Sequence, residues 1–207
     1  MAINKVNFNC IENSIFPSED LLSSISYKTS LNISLKKSLS KVNKEELFRD
    51  LEIAIDYLSE KCFSISYQNR IKSLQSCILK YEKNLLKGNS IKSTFNDLLG
   101  IRIIVNEYPQ SYPDYIRVVD MRSGKKNDDG YRGVHLYYQK DNYHYSVEIQ
   151  INTKRDRLFA DLTHKYLYKK TSNELSLLLR EKFDRGLIVN EKDFLKEIER
   201  YDKGNCC

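Results

Sequence analysis

Two carboxylates stand out for what surrounds them. Asp97 comes just before an apolar run, Leu99-Gly100-Ile101-Arg102-Ile103-Ile104-Val105, that reads as a buried strand. Glu148 sits in the middle of an alternating segment. There Tyr143, Tyr145, Val147, Ile149 and Ile151 take one side, and Ser146, Glu148, Gln150 and Asn152 the other. On one strand alone, such a polar side is most simply a solvated face. The preceding alternating segment, Tyr131 to Gln139, also carries a distinctive face, with Tyr131 and His135 on it. Two carboxylates meeting at one end of a sheet suit magnesium, which keeps water and bridges one or two carboxylates to a substrate's phosphates. Nearby cations then neutralise charge in phosphoryl chemistry. Arg102, set among apolar neighbours, and Lys72, Ser76 and Lys80, which recur every fourth residue, are candidates for that task.

The elements that position these residues can be read from periodicity. A helix is expected from Ile71 to about Lys87, with Ile71, Leu74, Ile78, Tyr81 and Leu85 as its core seam. The Lys72/Ser76/Lys80 stripe falls nearly opposite that seam. Asn43 followed by Glu45 and Glu46 opens a second helix carrying Leu47, Leu51, Ile55 and Leu58. Ser18 with Glu19 and Asp20 opens a third, Ser-rich one, expected to run to about Val42, after an irregular stretch over residues 1–16. Strands are expected at Phe63–Tyr67, Leu99–Val105, Tyr115–Met121, Tyr131–Gln139 and Tyr143–Ile151, with a polar loop at Ser123–Gly130. Helices follow at about 154–170, 173–184 and 191–201. Helices before and after a sheet define an α+β class. The organisation expected is an N-terminal helical region (1–60), a core bearing the site (61–171) and C-terminal helices packed on the same domain (172–207).

Composition narrows the classes. With 207 residues and 41% hydrophobic side chains the chain can bury a core without staples. No apolar run reaches the length of a membrane span or opens the chain as a signal peptide, and the five cysteines show no metal-ligand spacing. Reduced thiols and a cytoplasmic location are the expectation. The net charge of +6 favours phosphate-bearing partners, and Lys28, Lys36, Lys37, Lys41 and Lys44 cluster in one N-terminal stretch.

Five segments, in order, carry a resemblance. Arg70-Ile71-Lys72 with Ser76 and Lys80 resembles the Arg-x-Lys…Ser…Lys segment of RelA/SpoT-type synthetase domains. Asp97 to Arg102 resembles their Asp-x-x-Gly-x-Arg turn, and Gly130 to His135 their Gly-Tyr-Arg-x-x-His strand. Val147 to Thr153 resembles their Glu-x-Gln-x-Arg-Thr strand, and His164 to Lys169 their His…Tyr-Lys helix. Together these cover about Arg70 to Lys170.

The resemblance implies a mixed sheet flanked by helices, related to nucleotidyltransferases, and transfer of pyrophosphate from ATP to a ribose 3′-hydroxyl with magnesium. In that scheme Asp97 and Glu148 hold the metal, and Glu148 activates the hydroxyl. Arg70, Lys72, Ser76, Lys80 and Arg102 handle ATP. Tyr131 stacks on the acceptor base, with His135 and Gln150 supporting the acceptor side. Asn152 departs from the family's usual Arg, and the segment from Val105 to Gly130 is short enough to lack a helix. Single-domain members of this kind include synthetases of (p)ppGpp from GDP or GTP, and toxins of toxin–antitoxin pairs that modify the 3′-CCA end of tRNA. The short central segment and the basic N-terminal stretch favour the tRNA acceptor, with an antitoxin as a further partner. For it Lys28, Lys36, Lys37, Arg155 and Lys165 are candidate RNA contacts. A GDP, GTP or adenosine-nucleotide acceptor is the alternative. An inactive nucleotide- or RNA-binding module is a third reading, against which the retained carboxylate pair argues.

Overall fold

The computed structural model describes residues 15–63, 65–167 and 173–204. Its elements are α1 (Glu19–Ser24), a 3-10 turn at Leu39–Lys41, α2 (Lys44–Cys62), β1 (Gln68–Ile71), α3 (Leu74–Leu85), α4 (Ile91–Thr94), β2 (Leu99–Val105), β3 (Arg117–Asp120), β4 (Val134–Tyr138), β5 (Val147–Thr153), α5 (Lys154–Tyr166), α6 (Asn173–Asp184) and α7 (Glu191–Gly204). The strands form one sheet in the order β1-β2-β5-β4-β3. β1 runs antiparallel to β2, with Arg70 opposite Gly100 and Gln68 opposite Arg102. The α+β expectation holds. Among the described residues no helix lies between β2 and β4.

The chain divides into two compact units. One comprises the described residues up to Ile103 with Pro109–Val118 and His135–Gln150; the other comprises Ile104–Tyr108, Val119–Val134 and the described residues from Ile151 onward. In the first unit α2 forms for local reasons. Asn43 accepts from the amides of Glu45 and Glu46, acids occupy the first turn, and Leu47, Leu51, Ala54 and Leu58 come out buried on one face. In the second unit α5, α6 and α7 surround an apolar cluster of Phe159, Leu162, Leu175, Leu179, Phe183 and Phe194, joined by Leu167 and Ile188.

Three expectations are corrected. The helix expected from Ser18 to Val42 stops at Ser24. Beyond it the backbone bonds at long range: Thr29 N donates to Tyr143 O, Leu35 N to Asn142 O and Leu39 N to Asn89 O. The helix expected from Ile71 begins at Leu74, because Ser73 caps it through the Ser76 amide while Ile71 belongs to β1. Its buried positions are Cys77 and Tyr81. The strand expected at Phe63–Tyr67 forms instead at Gln68–Ile71, where pairing with β2 is available.

A buried acid organises the N-terminal stretch. Asp50, on α2, is fully enclosed. Its carboxylate accepts from Tyr27 Oη (3.3 Å), Thr29 Oγ1 (2.8 Å), Ser30 N (2.7 Å), Ser30 Oγ (2.8 Å) and Tyr145 Oη (2.8 Å). A buried carboxylate is tolerated only when satisfied to this degree.

Candidate active site

Asp97 and Glu148 line one cleft of the first unit, together with Arg70, Lys72, Gly100, Arg102 and Gln150. The topology explains the gathering. β2 lies between β1 and β5, so Arg70 on β1, Gly100 and Arg102 on β2, and Glu148 and Gln150 on β5 come from adjacent strands. Asp97 sits at the entry to β2. Gly100 leaves this floor low: a Cβ built there would lie 3.8 Å from Glu148 Oε2.

Both carboxylates are held ionised. Lys72 Nζ donates to Asp97 Oδ2 (2.7 Å) and Lys80 Nζ to Asp97 Oδ1 (2.8 Å). Burial alone would push the Asp97 carboxyl up, but the Lys80 charge and the two lysine hydrogen bonds outweigh it and hold it below its ordinary value. Glu148 is nearly enclosed. Its Oε1 accepts from Tyr137 Oη (2.9 Å) and lies 3.0 Å from His135 Nδ1, while its Oε2 accepts from Gln150 Nε2 (2.8 Å). Here too burial raises the pKa, and His135, Tyr137 and Gln150 together lower it further than burial lifts it. Among the described residues no group of three or more His, Cys, Asp or Glu is placed to hold a metal. Two ionised carboxylates are the donor set that magnesium takes when a substrate's phosphates complete its shell.

The remaining predicted residues separate. His135 and Gln150 reach Glu148, as described. Ser76 sits in the first turn of α3 and exchanges a hydrogen bond with Ser73 (3.0 Å). Lys28, Lys36 and Lys37 are exposed in the first unit. Tyr131, Arg155 and Lys165 belong to the second. There Tyr131 Oη accepts from Asn152 Nδ2 (3.1 Å), which also donates to Arg132 O (2.9 Å), and Lys125 Nζ lies 4.8 Å from the Tyr131 ring centre. Asn152, the residue that departs from the family pattern, is fully buried and anchors this tyrosine. Arg155 is engaged in capping α6 through Phe183 O (2.6 Å) and Asp184 O (2.9 Å), and Lys165 pairs with Glu191 at 2.6 Å. His164 lines a cavity of about 410 Å³ with Tyr131, Phe159 and Leu167; Tyr168 and Lys169 of that motif lie outside the described residues.

Three residues escaped the reading of the sequence: Tyr137, Arg117 and Lys92. Tyr137 continues the His135 face of β4 by alternation, and that signal was available. Arg117 stacks on the Tyr137 ring, its guanidinium carbon 4.4 Å from the centre. Lys92 is brought beside residues 35–37 by backbone pairing, with Ile91 N donating to Lys37 O (3.0 Å) and Lys92 N to Leu35 O (2.7 Å). Burial and then the charges of Lys36 and Arg117 lower the Lys92 amine. Lys92, Arg117 and Tyr137 line a second cleft of about 510 Å³.

An α+β domain whose cleft joins two ionised carboxylates to several Lys and Arg side chains is built to handle a phosphorylated substrate. Residues 69–173 match the model of the region found in RelA / SpoT proteins, and the chain belongs to that family; it is an ATP-dependent pyrophosphotransferase of this type. Among solved structures it is similar to small alarmone synthetase 1 from Bacillus subtilis, at 21% identity over 77% of this chain and 97% of that one, TM-score 0.44. Small alarmone synthetase 2 from the same organism gives 23% identity over 77% and 98%, TM-score 0.42. The first of these proteins, bound to its product pppGpp, gives 21% over 79% and 92%, TM-score 0.41. Comparison with curated proteins gives no match. Among the described residues no helix is long and apolar enough to cross a membrane.

Proposed function

We propose that the chain moves the β,γ-pyrophosphate of ATP onto the ribose 3′-hydroxyl at the CCA end of tRNA. The acceptor rests on one observation. Lys36, Lys92 and Arg117 gather outside the catalytic cleft, and among the described residues none of them has a carboxylate within salt-bridge range. Three cations that raise one another's free energy are a cost in the free protein, and a phosphate backbone removes it. A free nucleotide brings at most its own diphosphate to such cations, whereas a nucleic-acid chain brings a phosphate at every nucleotide.

Asp97 and Glu148 would hold magnesium, which when bound neutralises charge on the triphosphate. Arg70, Lys72, Lys80 and Arg102 bind and orient the donor, and Ser76 stands at the start of the helix that carries Lys80. Glu148 takes the proton of the 3′-hydroxyl, fixed for that task by His135, Tyr137 and Gln150. The 3′-oxygen bonds to the β-phosphorus, the bond from that phosphorus to the α-phosphate oxygen breaks, and AMP leaves. Tyr131 stacks on the acceptor base.

The test is incubation with γ-labelled ATP and either tRNA or GDP, across a salt series, for the wild type and for Lys28→Glu, Lys36→Glu and Lys37→Glu combined. Label on tRNA, lost in the variant, with the salt slope reduced by about one unit per phosphate contact removed, supports the proposal. Label on GDP and none on tRNA replaces it with alarmone synthesis.

A further inference from the structure

The second cleft has more lining than a phosphate contact alone would use. Besides Lys92 and Arg117 it presents the rings of Tyr115 and Tyr137 and the amides of Asn96 and Gln139. Its volume of about 510 Å³ falls in the range of sites that enclose a small ligand. The walls are set in advance. Tyr115 Oη donates to Pro17 O (3.1 Å) and its ring meets Tyr138 edge-on, while the residue remains 37% exposed. Gln139 Nε2 donates to His144 O (2.8 Å), and Asn96 Oδ1 accepts from Lys80 Nζ (3.3 Å). Tyr137, which lines this cleft, holds Glu148 Oε1 through its hydroxyl.

Cations, a partly exposed aromatic ring and amides match the three parts of a single-stranded nucleotide unit: its phosphate, the face of its base and the hydrogen-bonding edge of that base. The 5′-diphosphate of a free nucleotide would use only the cations. We infer that this cleft is a subsite for the nucleotide preceding the acceptor ribose in a single-stranded chain. Its phosphodiester lies on Lys92 and Arg117 and its base against Tyr115. The inference rests on the nucleic-acid acceptor proposed above, and it makes a dinucleotide the smallest good acceptor.

The experiment compares adenosine 5′-monophosphate, the dinucleotide CpA, GDP and intact tRNA as acceptors of label from γ-labelled ATP. The dinucleotide is expected to exceed the mononucleotide in kcat/KM by at least about tenfold, the scale of one base stack. Tyr115→Ala and Lys92→Gln should each shrink that ratio, while Tyr115→Phe, which keeps the ring, should preserve it. Equal use of mono- and dinucleotide, or a ratio untouched by either variant, overturns the inference. So does preferred use of GDP with a KM raised by Lys92→Gln, which would give the cleft to the acceptor's own diphosphate. If no acceptor is labelled, the function proposed above fails separately, and equilibrium binding of a fluorescent CpCpA oligonucleotide decides the subsite. Weaker binding by Lys92→Gln and Tyr115→Ala upholds it; unchanged binding removes it.

Discussion

The Tyr137 hydroxyl donates to Glu148 Oε1 at 2.9 Å while the face of the same ring carries the Arg117 guanidinium at 4.4 Å. One side chain therefore touches both Glu148, the proposed proton acceptor, and the cation cluster. Tyr137→Phe keeps the ring and the Arg117 stack and removes only the hydrogen bond. We expect kcat to fall about tenfold, the size of a lost hydrogen bond to a charged group, with the KM for ATP within about twofold of wild type. Steady-state kinetics decide it, and an unchanged kcat would leave Tyr137 no part in positioning Glu148.

Asp97→Asn and Glu148→Gln should each abolish transfer and still give cooperative melts. Asp97→Asn should be the less stable of the two, because Lys72 and Lys80 then face each other without the carboxylate that pairs them. Measurable turnover in either variant at ordinary magnesium would exclude that residue from the metal and proton-transfer roles.

Asp156 supplies a pH-dependent share of stability in the second unit. It accepts from Tyr108 Oη (2.7 Å) and Thr153 Oγ1 (2.7 Å) and pairs with Arg180 at 2.8 Å. Burial raises its pKa, but these three partners together bring it below the ordinary value. A depressed folded pKa means a contribution fully present above the unfolded value of about 4 and lost as pH falls through the folded one. Asp156→Asn should cost about 2–3 kcal/mol at pH 7, with Arg180 still paired to Asp184. Urea titrations from pH 7 down to pH 3 should show the gap to wild type closing only below about pH 4; a gap constant with pH contradicts this.

Gly133 makes room for the Tyr131 hydroxyl. A Cβ there would come within 2.6 Å of both Tyr131 Oη and Asn152 Nδ2, so Gly133→Ala must displace the tyrosine. Acceptor KM should rise several-fold with ATP KM unchanged, and Asn152→Ala should act in the same direction. Tyr131→Ala should be the largest of the series, about 1–3 kcal/mol of acceptor binding. A parallel rise in ATP KM would move Tyr131 to the donor side.

Where local forces suffice, the sequence was legible. α6 forms over Asn173–Asp184 and β2 over Leu99–Val105, as periodicity and apolar run length indicate. Asp97 and Glu148 were legible as a pair because each sits against an apolar strand. The stretch from Ile25 to Val42 was not, since its amides bond to Asn89, Asn142 and Tyr143, and no local pattern reports partners so distant. The same pairing hid Lys92, whose meaning depends on Lys36 lying beside it.

The five donors on Asp50 bear on how an acceptor is received. They pin Tyr27, Thr29 and Ser30 to α2 and to Tyr145, so the backbone flanking Lys28 is already spoken for before any ligand arrives. For the nucleic-acid acceptor proposed above, such a basic segment would be a docking rail and not a flexible arm that wraps its target. The conformational entropy lost on association then falls on the visiting molecule, and a supple, unpaired end is the partner best able to conform to a rigid host.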